Sequence, residues 1–474
     1  MSISTAFNSA LSGLTAASRT SSLISDNIAN ALTPGYARRS LELVGDALGS
    51  GVGFAGVRRH TDPVLIANRR EAEAVLGHAK TIDGFHSRME RVSGTVGEET
   101  SLAGHVAALE SRLIEAASLP GSAVRLDAAV ASASDLATSL NMAAREVQQA
   151  RTDADREIAR QVDSLGRLLT EVEVANGKIP ALRASGEDVS SLLDRRQTLI
   201  DEINRIVPVN EVPRGRDAVA LYTDGGAILL DGKAADVTFR ETGLVTAHMT
   251  FENGALGGVA VNGVPIGTKA LAGGSLAAQF DIRDVLGAEA QADLDAMARD
   301  LVERFQAPGL DATLGAAAAG MFTDGGKRFD GDTTGLASRI ALSEVLSPGQ
   351  SWRLRDGLGA TTPGPPGEAR LLQGFVSALE NARAQSDLVL GSGAMTASDL
   401  ANAVMSRSGG RAHQADQKLA RANSEAVEMQ RLEMEKGVDT DTELQSLMRV
   451  EQVYAANARL LETLDDMMDQ LLRI

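Results

Sequence analysis

The sequence predicts a mainly α protein with an inserted β module: paired N- and C-terminal helices, a long helical bundle and an outer β-rich domain. Three observations lead there. Both ends of the chain carry apolar residues at alternating four- and three-residue steps, residues 122–176 hold no proline and one glycine, Gly166, and residues 208–268 alternate apolar and polar residues between turn dipeptides.

The first helix is predicted over 1–30, where Ile3, Phe7, Ala10, Leu14, Ala17, Ser21, Ile24 and Ile28 follow the four-three rhythm. The last, over 443–474, repeats it with Leu447, Val450, Tyr454, Asn457, Leu461, Leu464, Met468 and Leu471. Side chains at such steps line one seam of a helix and let two helices pack side by side. Burying each apolar seam residue contributes about 1.5–3 kcal/mol, whereas fixing each backbone residue costs about 1–2 kcal/mol. Several seam positions are small (Ala10, Ala17, Ser21), so the pair is expected to be marginal in one chain and to be ordered by neighbouring copies.

Thr33-Pro34-Gly35-Tyr36 closes the first helix. Proline presets φ at the second turn position, and glycine tolerates the positive φ that a type II turn needs at the third. Residues 40–58 read as extended segments around a glycine-rich loop. Helix is predicted from Val64 to about Leu119, broken near Gly94 and Gly97 and stopped by Pro120-Gly121. The proline-free stretch that follows would span about 80 Å as one helix; its Ile158, Val162, Leu165, Leu169 and Val172 keep the same rhythm. A further helix, 189–207, ends before Pro208.

Within 208–268 the alternation is clearest at Ala218–Leu221, Ala227–Leu230 and Gly258–Val261. Asp224-Gly225, Asp231-Gly232, Asn253-Gly254 and Asn262-Gly263 are hairpin-type dipeptides. Helix returns over 275–306. Residues 308–366 are glycine- and proline-rich, with extended pieces around Trp352, and helices follow at 367–390 and 397–436 before Gly437. The expected domains are a terminal helical one (1–39 and 438–474), a bundle with a short hairpin (40–207, 269–307 and 367–437) and a β-rich outer one (208–268 and 308–366).

Composition narrows the function. Charged residues make up 23% and apolar residues 43% of 474, with a net charge of −17. That charge argues against a nucleic-acid partner, whose binding rests on phosphate neutralisation by Lys and Arg. No stretch approaches the roughly 18 apolar residues of a membrane helix, so no membrane partner is expected. The chain has no cysteine, which excludes thiolate and disulfide chemistry. Its N-terminus has no Lys or Arg before Arg19 and no continuous apolar core, unlike a secretory signal peptide.

Candidate chemistry is sparse. Gly51, Gly53 and Gly56 have dinucleotide-loop spacing, but Pro63 delays any following helix, so a hairpin loop is expected. Asp439, Asp441 and Glu443 lack the twelve-residue calcium-loop pattern and suit a helix start, where acids favour the macrodipole. The six histidines form no zinc-type i, i+4 pair. No catalytic residue, metal or cofactor is expected, and the chain reads as a structural protein rather than an enzyme.

The segment Ser25–Arg39, with Asn27, Asn30, Thr33, Pro34, Gly35 and Tyr36 as its signature turn, closely resembles the N-terminal signature of bacterial flagellar rod, hook and hook-associated proteins. Gly437–Leu472 (GVDTDTELQSLMRVEQVYAANARLLETLDDMMDQLL) resembles the ending of the same axial family. SGVGFAGVRRHTDPVL at 50–65 looks like its hairpin, and SSLLDRRQTLIDEINRIV at 190–207 like the Asp-Arg helix before its β domain. The helical stretch 64–207 favours a hook–filament junction subunit. The other junction protein, a hook or rod subunit and a cytosolic helical scaffold stay open as alternatives.

The resemblance implies that the terminal helices form the inner tube of the flagellar axis and that the chain is secreted by the type III export apparatus. It implies further partners: copies of itself in a ring or helix, hook protein, the second junction protein, and an export chaperone covering Leu461, Leu464, Met467, Met468, Leu471 and Leu472.

Overall fold

The computed structural model describes residues 3–45, 51–95, 97–384 and 393–472. The chain opens with α1 (Ile3–Ala29), followed by the antiparallel hairpin β1 (Arg39–Gly45) and β2 (Val52–Arg59). Then come α2 (Pro63–Ser93), α3 (Leu102–Ser118), α4 (Ala123–Ala184) and α5 (Ser190–Ile206). Each start has a chemical reason. Asp62 caps α2, with proline in its first turn; Ser101 caps α3; Ser122 caps α4. These side-chain oxygens take backbone N–H groups that have no partner within the helix.

The β region follows. β3 (Val209–Pro213), β4 (Val219–Thr223), β5 (Ile228–Asp231) and β6 (Lys233–Ala234) form one antiparallel sheet in sequence order. β7 (Val237–Phe239), β8 (Val259–Val261) and β9 (Val264–Pro265) form a second. Asp231-Gly232 turns β5 into β6, and Asn262-Gly263 turns β8 into β9. Helix resumes in α6 (Gly274–Asp281), a π-helical turn at Ile282–Leu286 and α7 (Gly287–Phe305).

Beyond lie β10 (Phe322–Asp324), α8 (Leu336–Arg339), β11 (Ile340–Leu342), α9 (Arg353–Asp356), α10 (Arg370–Glu380), β12 (Arg383–Ala384) and β13 (Ala394–Met395). The chain closes with α11 (Ala397–Glu435), which starts on a Thr396/Asp399 capping box, and α12 (Thr440–Leu472). The architecture is mainly α with small antiparallel sheets inserted.

α4 is the spine. Its 62 residues span about 93 Å, and two large hydrophobic cores lie along it, with a small third cluster of Ala175, Ile179 and Val189 at its end. The first gathers Leu126–Ala154 of α4 with α3, α7, α10 and the start of α11. The second gathers Ile158–Val172 with α5, α6 and both sheets. A polar waist separates them. Arg283, fully buried, donates to Asp155 at 2.7 Å and to Asp284 at 2.8 Å. Arg151 gives its N–H groups to the carbonyls of Arg283, Thr246 and Met249 and to Gln148 Oε1. Burial lowers the Arg151 pKa. These bonds strap the loop between β7 and β8 onto α4.

Three expectations need correction. Residues 308–366 do not pack with the sheets of 208–268. Their Met321, Phe322, Phe329, Leu336, Ile340, Leu346 and Leu354 enter the first core. Buried Asp295 of α7 anchors them, accepting from the Gly335 and Ala337 amides at 2.8 Å. Trp352 is not extended; it is the helical residue before α9. Of the helix expected over 367–390, α10 covers Arg370–Glu380, because Arg304 draws the carbonyls of Ala378 and Asn381 to its guanidinium; residues 385–390 lie outside the described ones.

Candidate assembly surface

α1 and α12 lie against each other. Asn27, near the end of α1, meets Glu443 at the start of α12, and Gly13 meets Asn457, so the two helices run antiparallel. A Cβ on Gly13 would lie 2.9 Å from the Asn457 amide nitrogen. Glycine there lets the backbones approach.

Of the seam residues on α1, Ala10, Ala17 and Ile24 are buried, and Ile3, Leu14, Ser21 and Ile28 are half-buried. On α12, Leu464 is buried, and Leu447, Val450, Asn457 and Leu461 are half-buried. Three seam residues face solvent: Phe7 (43% exposed), Tyr454 (48%) and Met468 (46%). The Leu471 side chain lies outside the described ones. A single partner helix covers only part of such a face, so a two-helix pair leaves some of its residues uncovered.

Further apolar side chains around the pair remain uncovered. Leu11 on α1 and Leu444, Met448, Val453, Leu460 and Met467 on α12 are all exposed, joining Phe7, Tyr454 and Met468. Covering each half-exposed side chain would contribute about 1 kcal/mol.

The base of the pair is polar and closed. Asn27 is wholly buried and uses its full hydrogen-bonding capacity. Its Nδ2 donates to the Arg39 carbonyl at 2.9 Å and to Glu443 Oε2 at 3.1 Å. Its Oδ1 accepts from the Tyr36 hydroxyl and the Arg39 amide, each at 2.9 Å. Glu443 Oε1 accepts from Arg38 Nε at 2.6 Å. Burial pushes the Tyr36 phenol above its ordinary pKa, which keeps it protonated to donate.

Next to this base, the Thr33–Tyr36 turn rests on α5. Gly35 takes a φ of 78°, and the Tyr36 amide donates to the Thr33 carbonyl at 3.1 Å. Asp194 of α5 grips Arg39 at 2.6 Å and Arg59 at 2.5 Å. Farther on, Asp201 holds Arg69 at 2.8 Å and Arg70 at 2.6 Å, and Arg69 also reaches Glu433 at the end of α11. Burial alone would lower the Arg69 pKa; the Asp201, Glu433 and Glu73 carboxylates outweigh it and hold it above the usual arginine value. The hairpin lies along α1, with the Val52 amide on Ser12 Oγ at 3.1 Å and Arg19 stacked 3.9 Å over Phe54. It was expected with the bundle.

Sequence reasoning missed Glu443 and Asp194. Among the three terminal acids, Asp439 is the cap, its carboxylate held below its usual pKa by hydrogen bonds from Thr442 and the Asp441 amide. Glu443, read with it as a helix-start acid, turns inward to α1. Its invisible partner lies 416 residues away. The signature asparagine was the only available clue.

Elsewhere, a cleft of about 620 Å³ between α2, α5 and β3 has both signs of charge, Arg59, Arg70 and Arg196 facing Glu71, Glu211 and Asp224. Among the described residues, no three His, Asp or Glu gather as a metal site, and no helix is long and apolar enough to cross a membrane.

Comparison with known proteins places this geometry. Residues 87–322 match the flagellar hook-associated protein FlgK helical domain. Residues 7–36 match the flagella basal body rod protein family, and 435–474 the flagellar basal body rod FlgEFG protein C-terminal family. The middle of the chain is thus similar to flagellar hook-associated protein 1, and its two ends to flagellar rod proteins. The matched ends are the two helices that pair in space. Hook-associated protein 1 of Salmonella typhimurium is 23% identical over 244 residues, covering 49% of this chain and 44% of the relative. That of Escherichia coli is 22% identical over the same length. The chain thus spans less than half the length of these relatives. The hook junction protein FlgK from Burkholderia pseudomallei is similar over 56% of this chain and 47% of its own, with a TM-score of 0.44 and 16% identity.

Proposed function

We propose that this chain is a non-enzymatic structural subunit of the bacterial flagellum, forming the junction between hook and filament through axial packing of its terminal helices. The observation that carries the reading is the set of apolar side chains left uncovered around α1 and α12. That set lies on the two segments that match rod-protein families. Neighbouring copies, and hook protein and the second junction protein at the two faces of a ring, would cover it. The helical domain at 87–322 favours hook-associated protein 1 over a rod or hook subunit, because the terminal families are common to all of them. The chain would leave the cell through the type III export apparatus, with a chaperone shielding the apolar side chains of α12 beforehand.

Replacing both Leu461 and Leu464 with Asp tests the reading. Charges on the inner face of α12 should abolish incorporation into flagella while the bundle keeps its thermal transition. Electron microscopy of isolated hook–filament preparations with a tagged copy should place the parent protein at the junction. Normal filaments in the double variant, or a tag elsewhere in the cell, would defeat the proposal.

A further inference from the structure

We infer that the Thr33–Tyr36 turn is a docking plug that fixes the terminal pair to the bundle at α5, so that the base of the pair and the bundle move as one body even in an isolated chain. The inference concerns a single chain and stands apart from the assembly reading.

Gly35 is constrained twice. Its φ of 78° is one that other residues rarely adopt, and a Cβ on it would lie 2.6 Å from Thr198 Oγ1 on α5. A type II turn requires only the first constraint. The close approach is additional: a turn seated on a helix face.

Asp194, one helical turn before Thr198, supplies the second hold. It takes Arg39 from β1 on one carboxylate oxygen and Arg59 from β2 on the other, with all three side chains about seven-eighths buried. Charge-assisted bonds in such surroundings are stronger and less screened than surface pairs. Gripping both strands of the hairpin opposes its rotation over α5. Gln197 adds a third contact to Arg59. Tyr36 closes the path, because its hydroxyl holds Asn27, which holds Glu443. Residues of α1, the turn, α12 and α5 are thereby joined without a gap.

The chain has no cysteine, so paired nitroxides can be placed on the full-length protein through S25C and K178C, both at exposed positions. Pulsed dipolar spectroscopy should give a narrow distance distribution for this pair. Asp194→Asn, which keeps the side-chain volume, and Gly35→Ala should each broaden it at least twofold. Adding Thr198→Ala to Gly35→Ala should narrow it only part of the way, because the φ constraint remains. A reference pair inside the bundle, R112C with K178C, should stay narrow in every variant, which separates a loosened joint from an unfolded chain. A broad distribution in the parent, or an unchanged width in both Asp194→Asn and Gly35→Ala, would overturn the inference. Neither result depends on whether the chain assembles into flagella.

Discussion

α4 and the α1/α12 pair carry nearly the same apolar rhythm and meet opposite fates. Along α4, Ile158, Val162, Leu165, Leu169 and Val172 are all essentially inaccessible to solvent, because α5, α6 and two sheets surround that face. Along α12, Glu443 and Leu464 are the buried residues among those described. A periodic stripe specifies which face seeks a partner; the number of partners within the chain decides how much of it is covered. Most helical stability comes from such packing rather than from intrinsic propensity, so the two helices should differ in persistence far more than in sequence character.

Hydrogen exchange on the isolated chain offers the largest expected contrast. Amides of α4 around Leu136 and Leu165 should open only with global unfolding, while those in the distal parts of α1 and α12, near residues 3–12 and 458–472, should exchange at least about a thousandfold faster, as a difference in opening free energy of about 4 kcal/mol requires. Equal protection in both places would break the comparison.

Truncation sharpens it. Leu165→Ala should cost about 3 kcal/mol and lower the main unfolding midpoint, since the removed atoms leave a cavity in a closed core. Leu464→Ala should leave that midpoint in place, because the helix it supports opens first. Denaturant titration followed by circular dichroism reads both.

The base of the pair is expected to fall between these extremes. Glu443→Ala strips Arg38 and the buried Asn27 amide of a partner, which should weaken that base by about 1–3 kcal/mol. Exchange of amides 444–450 should accelerate about tenfold to a hundredfold, with α4 unaffected.

The smallest effect concerns pH and belongs to the bundle. His86 of α2 is buried against Phe85. Burial first, and the neighbouring Arg411 second, depress its pKa below 6.5. The unfolded chain therefore takes up a proton that the folded chain resists. The stability this provides is present above pH 6.5 and is lost as the pH falls from there through the lower folded value. A parent thermal midpoint that drops over that window should drop less in His86→Gln.

Much of this arrangement was legible in the sequence. The long helices followed from Gly166 being the only glycine in a proline-free stretch, and the hairpins at Asp231-Gly232 and Asn262-Gly263 from their dipeptides. The pairing of the ends was expected from Ala10, Ala17, Ile24 and Leu464, all of which are buried. Phe7, Tyr454 and Met468 were assigned to the same seam and face outward, since periodicity marks a face but not how much of it one partner helix covers. Residues 308–366 were illegible for another reason. Their structure rests on Asp295 and on Asn141, which donates to the Ala337 and Ile340 carbonyls at 2.8 and 3.0 Å, and neither contact leaves a local pattern. Glu443 and Asp194 were hidden in the same way, each satisfying a partner far along the chain.

The distance between Asn27 and Glu443 along the polypeptide has a kinetic corollary. A ribosome releases α1 long before it makes α12, and a pairing of such wide sequence separation must first overcome the entropy of closing the chain between them. The intervening bundle can mature while its first helix still waits for a mate. Translation order by itself postpones the creation of the sticky surface until the remainder of the molecule is in place.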